Sequence, residues 1–370
     1  MAVRRSIGIS LAMLILLMGA GGAATQPADS KEQILSLMRK VCDWQLSQLP
    51  TEKVAKTDTD INWVRAVFFD GDMALYRATQ DSRYLDPMLK VGAENKWQPD
   101  PKRFRNADGL AIGQLYVELY FVKKDPSMIK GLRDRWDKIM AQPMLGHVDW
   151  WWCDSLFMAP ADLAELSAAT GDKKYLDFMD KQYTDSIDYL YDSSEHLVFR
   201  DPTFFDIRES NGKKAFWSRG NGWVMAGVVR VLQCMPADYP SRWKYVELLK
   251  EMSQRLAGLQ QPDGFWRMSL LDPQSTPGGE ASGTAMFCYA MAWGVNAGVL
   301  PAQQYRPVID KAWKALADSV EPSGKLDWVQ ATGSKPGPLK KSDTAEYGSG
   351  ALLLAGSEIV KMRDGQASGG

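Results

Sequence analysis

The sequence predicts an all-α fold, six helical hairpins closed into an (α/α)6 toroid. Three observations lead there. Between residues 31 and 362 apolar side chains recur at i, i+3 and i+4 with little period-two alternation, which is the helical period. Amphipathic segments alternate with nearly all-apolar ones, six of each. A weak repeat, "TQDSRYLD" against "TGDKKYLD", marks equivalent turns in successive hairpins.

The first amphipathic segment runs from Lys31 to Leu49. Its five counterparts follow acidic or Pro-containing turns: "TQDSRYLDPMLKVG" from Thr79, "KKDPSMIKGLRDRW" from Lys123, "TGDKKYLDFMDKQY" from Thr170, "YPSRWKYVELLKEM" from Tyr239 and "AQQYRPVIDKAWKAL" from Ala302. Asp or Ser ahead of the helical run supplies an N-cap, and Lys, Arg and Asp line one face, so these helices form the outer ring. The inner ring is expected from Val64 to Thr79, Gly109 to Val122, Ser155 to Thr170, Gly222 to Met235, Gly283 to Val295 and Tyr347 to Lys361. No Gly/Ser/Pro-rich linker interrupts the alternation, which predicts one catalytic domain over residues 25–370.

Composition bounds the partners. Apolar residues make up 45% of the chain, enough for a large core, and the formal charge of -1 with no run of five like charges gives no bias toward nucleic acid or an anionic membrane. Charge recognition must be local. The 14 tryptophans serve core packing and offer planar faces for sugar rings. At the N-terminus, Arg4 and Arg5 precede an apolar stretch, Ile7 to Met18, and small residues to Ala24. That stretch is shorter than the roughly 20 residues a spanning helix needs, so residues 1–24 read as a cleavable export signal. The mature protein is therefore expected in the periplasm or outside the cell, off the membrane, as a monomer or weak homodimer. Cys42, Cys153, Cys234 and Cys288 are scattered without a CxxC and read as buried thiols.

Connections locate the site. Inner-to-outer turns such as "ATGDK" are short, whereas outer-to-inner loops are long: residues 50–62, 98–107, 142–153, 191–220, 260–282 and 321–346. All six lead into inner-helix N-termini, whose partial positive charge and free N–H groups suit an anion such as a carboxylate. Three of these starts carry polar residues in apolar surroundings: "RNADGLAIGQLY" with Asp108, "HVDWWWCDSLFMAP" with Asp154, and "FWSRGNGWVMAG" with Trp217, Arg219, Asn221 and Trp223. Either aspartate alone could be an N-cap. Together, with Trp150, Trp151 and Trp152 making the surroundings of Asp154 apolar, they read as a pair of carboxyls for acid/base work on a glycoside. Arg219, flanked by indoles, suits a carboxylate, with a structural ion pair as the alternative. His147 lies in the loop ahead of Asp154 and could line the cleft.

Other chemistries find no pattern. Gly220-Asn221-Gly222 lacks the third glycine of a dinucleotide fingerprint, and no nucleophile elbow occurs. "DTDINW" from Asp58 starts like a calcium loop, but Trp63 replaces the glycine and Phe69 the final glutamate. His147 and His196 have no metal-ligand spacing. Neither metal nor cofactor is expected.

Four stretches, "WWWCDSLFMAPADLAELSAATGDKKYLD", "FWSRGNGWVMAG", "DGFWRMSLLDP" and "EASGTAMF", together resemble glycoside hydrolase family 105, the unsaturated rhamnogalacturonyl hydrolases, which are related to the unsaturated glucuronyl hydrolases of family 88. The resemblance spans essentially the whole mature chain. It implies an (α/α)6 barrel and an oligosaccharide substrate ending in a 4,5-unsaturated uronic acid, hydrated at the C4=C5 bond. The family's general acid/base falls on Asp154 and its second aspartate on Asp108. Sugar-stacking and carboxylate-binding roles fall on Trp152, Trp217, Arg219 and Trp223; Asn221 and Trp63 join the expected substrate-binding set. Two departures stand out: His147 is closer to Asp154 than the pattern places it, and a second histidine is replaced by "VFRDPTFFD", with Arg200 and Asp201 near its place. They fit a different partner sugar, or a sulfated or branched oligosaccharide. Unsaturated rhamnogalacturonyl hydrolysis is the first reading. An unsaturated glucuronyl hydrolase acting on ulvan, arabinogalactan or glycosaminoglycan fragments, a hydrolase or lyase acting on saturated chains, and a non-catalytic periplasmic glycan-binding protein are the alternatives.

Overall fold

The computed structural model describes residues 29–49 and 60–367, so the expected export signal and most of the first long loop lie outside the described residues. In chain order the helices are α1 (Lys31–Gln48), α2 (Trp63–Thr79), α3 (Ser82–Glu94), α4 (Ala107–Leu110), α5 (Ile112–Lys123), α6 (Ser127–Ala141), α7 (Gly146–Asp149), α8 (Ser155–Met158), α9 (Pro160–Thr170) and α10 (Lys173–Leu190). After a two-stranded hairpin, β1 (Tyr191–Asp192) with β2 (Leu197–Val198), come α11 (Ser218–Cys234), α12 (Arg242–Ala257), α13 (Ala281–Asn296), α14 (Ala302–Ala317) and α15 (Glu346–Ala367).

The ring closes. Around the inside, α2 packs on α5, α5 on α9, α9 on α11, α11 on α13, α13 on α15, and α15 back on α2. Each outer helix lies on one inner partner: α1 on α15, α3 on α2, α6 on α5, α10 on α9, α12 on α11 and α14 on α13. The six expected hairpins are therefore all present. Closure depends on bare backbone: a Cβ on Gly71 would lie 2.3 Å from the Gly350 carbonyl oxygen, and one on Gly350 would lie 2.2 Å from that of Val67. Helices α2 and α15 approach so closely only because both positions lack side chains.

Several local expectations change. The third inner segment is split into α8 and α9 because Pro160 has no N–H to continue the ladder. Helix α7 and the β1–β2 hairpin lie inside loops that carried no periodic signal. Ser30, Asp81 and Asp172 cap their helices as expected, the first as a full capping box, whereas Ser241 forms no cap bond at α12.

The fourth inner helix begins at Ser218, four residues before the expected start at Gly222. Gly220 and Gly222 are accordingly helical, and close packing explains them better than a tight turn against a ligand. A Cβ on Gly220 would meet the Cys153 sulfur at 2.8 Å, and one on Gly222 would meet Cβ of Met286 at 3.1 Å.

Candidate active site

The inner-helix starts converge at one end of the ring, and their side chains touch. Asp154 immediately precedes α8 but makes no capping bond; its backbone is already helical, with φ at -62°. Asp108 is not a cap either: Asn106 caps α4, its side-chain oxygen accepting the N–H of Asp108 at 3.0 Å. Neither carboxyl, then, serves as a helix cap.

Both carboxyls are pushed toward protonation. Burial raises the Asp154 carboxyl above its usual range, against the lowering influence of Arg200 and Arg219. Asp108 is raised to about 6, first by burial and then by the charge of Asp154, with Arg103 and Arg200 opposing. Arg103 donates to Asp108 at 2.9 Å.

Arg200 is held beside the pair by the chain itself. The N–H of Cys153 donates to the Arg200 carbonyl at 2.8 Å, tying the segment after β2 to the residue before Asp154. The guanidinium then lies over the exposed ring of Trp151, 5.2 Å from its centroid, with Nε 4.0 Å from Asp154 Oδ2. Asp201 pairs with its Nη1, while Nε is buried without a hydrogen-bond partner. The departure from the family pattern at "VFRDPTFFD" thus brings a cation to the expected acid.

Arg219 has a different employment from the one its sequence context suggests. It is 1% exposed and lies between two aromatic rings, 4.5 Å from the Trp217 centroid and 4.9 Å from that of Tyr347. Its Nη1 donates to the Gln330 carbonyl at 2.8 Å and the Tyr347 hydroxyl at 2.7 Å; its Nη2 donates to the carbonyls of Ala331 at 3.2 Å and Gly333 at 3.4 Å. All four Nη hydrogens are spent on the chain, which corrects the direct carboxylate contact expected of Arg219. Its charge still acts on Asp154 at a distance.

The remaining predicted residues divide. Trp63 stacks on Tyr347 with centroids 5.3 Å apart and meets Trp223 edge-on at 6.1 Å; Trp223 also contacts Phe157 at 5.0 Å. These rings meet at the convergence from four helices, and the buried Trp223 Nε1 has no partner. Trp217 donates its indole N–H to the Gln330 side chain at 3.0 Å, and Trp152 is buried against Trp151 at 5.0 Å. Asn221 is fully buried, its amide exchanging bonds with both backbone groups of Val198 at 2.8 and 3.0 Å and donating to Trp217. It anchors β2 rather than offering itself to substrate, a correction that follows from its filled hydrogen-bonding capacity. His147 points to the outer ring, its Nδ1 on Asp185 at 2.5 Å, and its contacts give it no link to Asp154. Tyr347, Gln330 and Arg103 escaped the sequence reading; the one available signal was their position at the ends of long loops.

A six-hairpin ring with two proton-hungry carboxyls among indoles at one mouth defines a glycoside-cleaving enzyme. Comparison makes this specific. The model of Glycosyl Hydrolase Family 88 matches residues 37–363, and the chain belongs to that family. It is 37% identical over 351 residues to an unsaturated 3S-rhamnoglycuronyl hydrolase of Formosa agariphila, covering 90% of this chain and 92% of that one. A relative of the same name from Alteromonas sp. (strain LOR) is 33% identical over 86% of this chain and 83% of its own. Among solved structures, a glycosyl hydrolase family 88 protein from Bacteroides vulgatus superposes with a TM-score of 0.83 at 29% identity, covering 90% of this chain and 99% of that one. The resemblance to family 105 and its relative family 88 holds, as do the (α/α)6 fold and the activity class, an unsaturated uronyl hydrolase.

Proposed function

We propose that the enzyme removes a terminal 4,5-unsaturated uronate from an oligosaccharide whose next sugar is a rhamnose, including one bearing sulfate. The observation that carries the reading is the placement of Asp154: a carboxyl raised by burial, free of any capping duty, with Arg200 4.0 Å away. The names of the two relatives favour rhamnoglycuronyl fragments over the rhamnogalacturonyl first reading.

The substrate is an enol ether conjugated to its carboxylate. Asp154 donates a proton to C4, leaving a cation at C5 that the ring oxygen stabilises. One water adds at C5, and Asp108, the second carboxyl, accepts its proton. The resulting hemiketal opens, C1 becomes a hemiacetal, and the aglycone leaves without nucleophilic attack on the anomeric carbon. Such proton transfer contributes about 10²–10⁴-fold. Arg200 meets the uronate carboxylate: it lies beside Asp154, whereas the Nη hydrogens of Arg219 are committed to the chain and its Nε is buried. Trp63, only partly buried, supplies a ring face, and the fully buried Trp223 and Tyr347 pack against it and exclude water. The half-open Trp151 face beneath Arg200 suits a 6-deoxy sugar carrying an anionic group.

Lyase-generated oligosaccharides from ulvan, pectin, arabinogalactan and glycosaminoglycan, read by loss of ultraviolet absorbance, test the assignment. Fastest turnover is expected on sulfated rhamnose fragments; a clear preference for pectin fragments would restore the rhamnogalacturonyl reading. We propose a location in the periplasm or outside the cell, a reading supported by Arg4, Arg5 and the apolar stretch after them, which read as an export signal. The mass of the mature N-terminus tests that placement.

A further inference from the structure

A second concentration of polar groups lies away from the mouth. Arg230 follows Arg219 on α11 by eleven residues, about 16 Å of helix at 1.5 Å per residue. Around it is a cavity of about 330 Å³, lined by Asp70 and Arg77 of α2, Glu118 of α5, Arg230 and Gln233 of α11, and Tyr289 of α13. Lys31, Glu358, Lys361 and Asp364 complete the polar part of the wall.

Most of these charges are matched. Lys361 pairs with Glu358 at 2.6 Å and Lys31 with Asp364 at 2.9 Å. Arg230 bonds Glu118 at 2.8 Å and Glu165 at 3.0 Å, with its Nε on Gln114 at 3.0 Å. Arg77 reaches Glu118 at 3.4 Å. What is left over is Asp70. It is 1% exposed, neither carboxylate oxygen has a hydrogen bond, and the nearest cation, Nη2 of Arg230, is 3.6 Å away. Glu118 Oε2 and Glu165 Oε2 are also unpartnered. Two guanidinium charges therefore face these three carboxyls, with the buried and equally unpartnered Asp162 of α9 acting on Asp70 from behind, so the free hydrogen-bonding capacity is on the acceptor side.

A buried carboxylate without donors is costly, and the complement of surplus acceptors is a cation rich in N–H groups. Among the described residues no group of three or more His, Cys, Asp or Glu is placed to hold a metal ion. The cavity also exceeds the size of a bare ion. We propose that it is a second binding site, for a small organic cation whose primary ammonium group is received by Asp70 and the free oxygen of Glu118. Without ligand, burial pushes the Asp70 carboxyl up to about 8, with Arg230 and Arg77 opposing and Glu118 reinforcing. At neutral pH Asp70 is then protonated, and an arriving ammonium displaces that proton. Arg230 and Tyr289 also line this space, and behind them Glu165, bonded to Arg230, has its carboxyl raised well above the usual range by burial, with Arg230 opposing.

Calorimetric titration of the full chain with ethanolammonium, against potassium chloride at equal ionic strength, tests the site. Saturable binding of ethanolammonium alone is expected, with about one proton released near pH 7, read from the dependence of the heat on buffer ionisation. Asp70→Asn should weaken binding by at least about tenfold, the loss of one charged hydrogen bond, without lowering the melting temperature of the ligand-free protein. No saturable binding, equal binding of potassium, or undiminished binding in Asp70→Asn would each overturn the proposal. If Asp70→Asn does not fold, proton release by the parent protein decides: binding without release overturns it.

Discussion

Substituting Arg219 by lysine separates two employments of that side chain, organising the chain and meeting the substrate. In the structure the guanidinium supplies four hydrogen bonds to the segment from Gln330 to Gly333 and to Tyr347, and fills the slot between Trp217 and Tyr347. Lysine has three donors on one atom for four acceptors, so at least one of them is left without a donor. Each buried acceptor so orphaned costs about 1–3 kcal/mol. Loss of the flat cation between two rings adds about 1 kcal/mol. The sum, about 2–4 kcal/mol, corresponds to a fall in melting temperature on the order of 5 °C for a domain of this size. Thermal and urea unfolding measure the stability, and steady-state kinetics on an unsaturated oligosaccharide measure the KM. Expected is a large loss of stability, with the KM defect shrinking as stabilising conditions refold the 330–333 segment. A variant as stable as the parent but with sharply raised KM would refute the reasoning and return Arg219 to the carboxylate.

Other consequences are equally open to measurement. Arg200→Met should raise KM by about tenfold or more, as one charged hydrogen bond to the substrate is lost. The same change removes a cation that lowers the Asp154 carboxyl, so the alkaline limb of kcat/KM should move to higher pH; an unmoved limb would separate Arg200 from the acid. Asp108→Asn should lower kcat by about 10²-fold or more and abolish the acidic limb expected near pH 6, which a retained limb would contradict. Asp70 binds its proton more tightly folded than unfolded, so stability should fall as pH rises from about 4 to about 8, at up to about 1.4 kcal/mol per pH unit. Asp70→Asn should flatten that slope in urea titrations. Gly71→Ala forces a Cβ to 2.3 Å from a backbone oxygen of α15 and should cost about 1–3 kcal/mol or more; a neutral effect would show the α2–α15 contact to be looser than described.

The fold was legible because each of its rings has its own hydrophobic period, and that pattern survives without long-range information. Asp154 drew attention for a related reason: a carboxyl following three tryptophans at a helix start is costly unless it is used, and Asp108 stands at a neighbouring helix start. What the sequence could not convey is which donors and acceptors meet across the ring. Arg219 and Asn221 carry the chemistry of binding residues, yet their partners, Gln330 to Gly333 and Val198, lie in loops far away in the chain. Arg200 sits in a stretch with no periodic signal and reaches Asp154 through one backbone bond from Cys153. The glycines of "FWSRGNGW" looked like a loop because glycine is usually a breaker. Here two of them are helical and make room for neighbouring helices.

The central claim is that Asp154 protonates C4 of an unsaturated uronate. Asp154→Asn keeps the shape of the side chain and removes the proton. On an unsaturated rhamnoglycuronyl oligosaccharide, with folding verified by circular dichroism, the rate of absorbance loss should fall by about 10²–10⁴-fold. A folded Asp154→Asn enzyme that retains most of the parent rate would contradict the account.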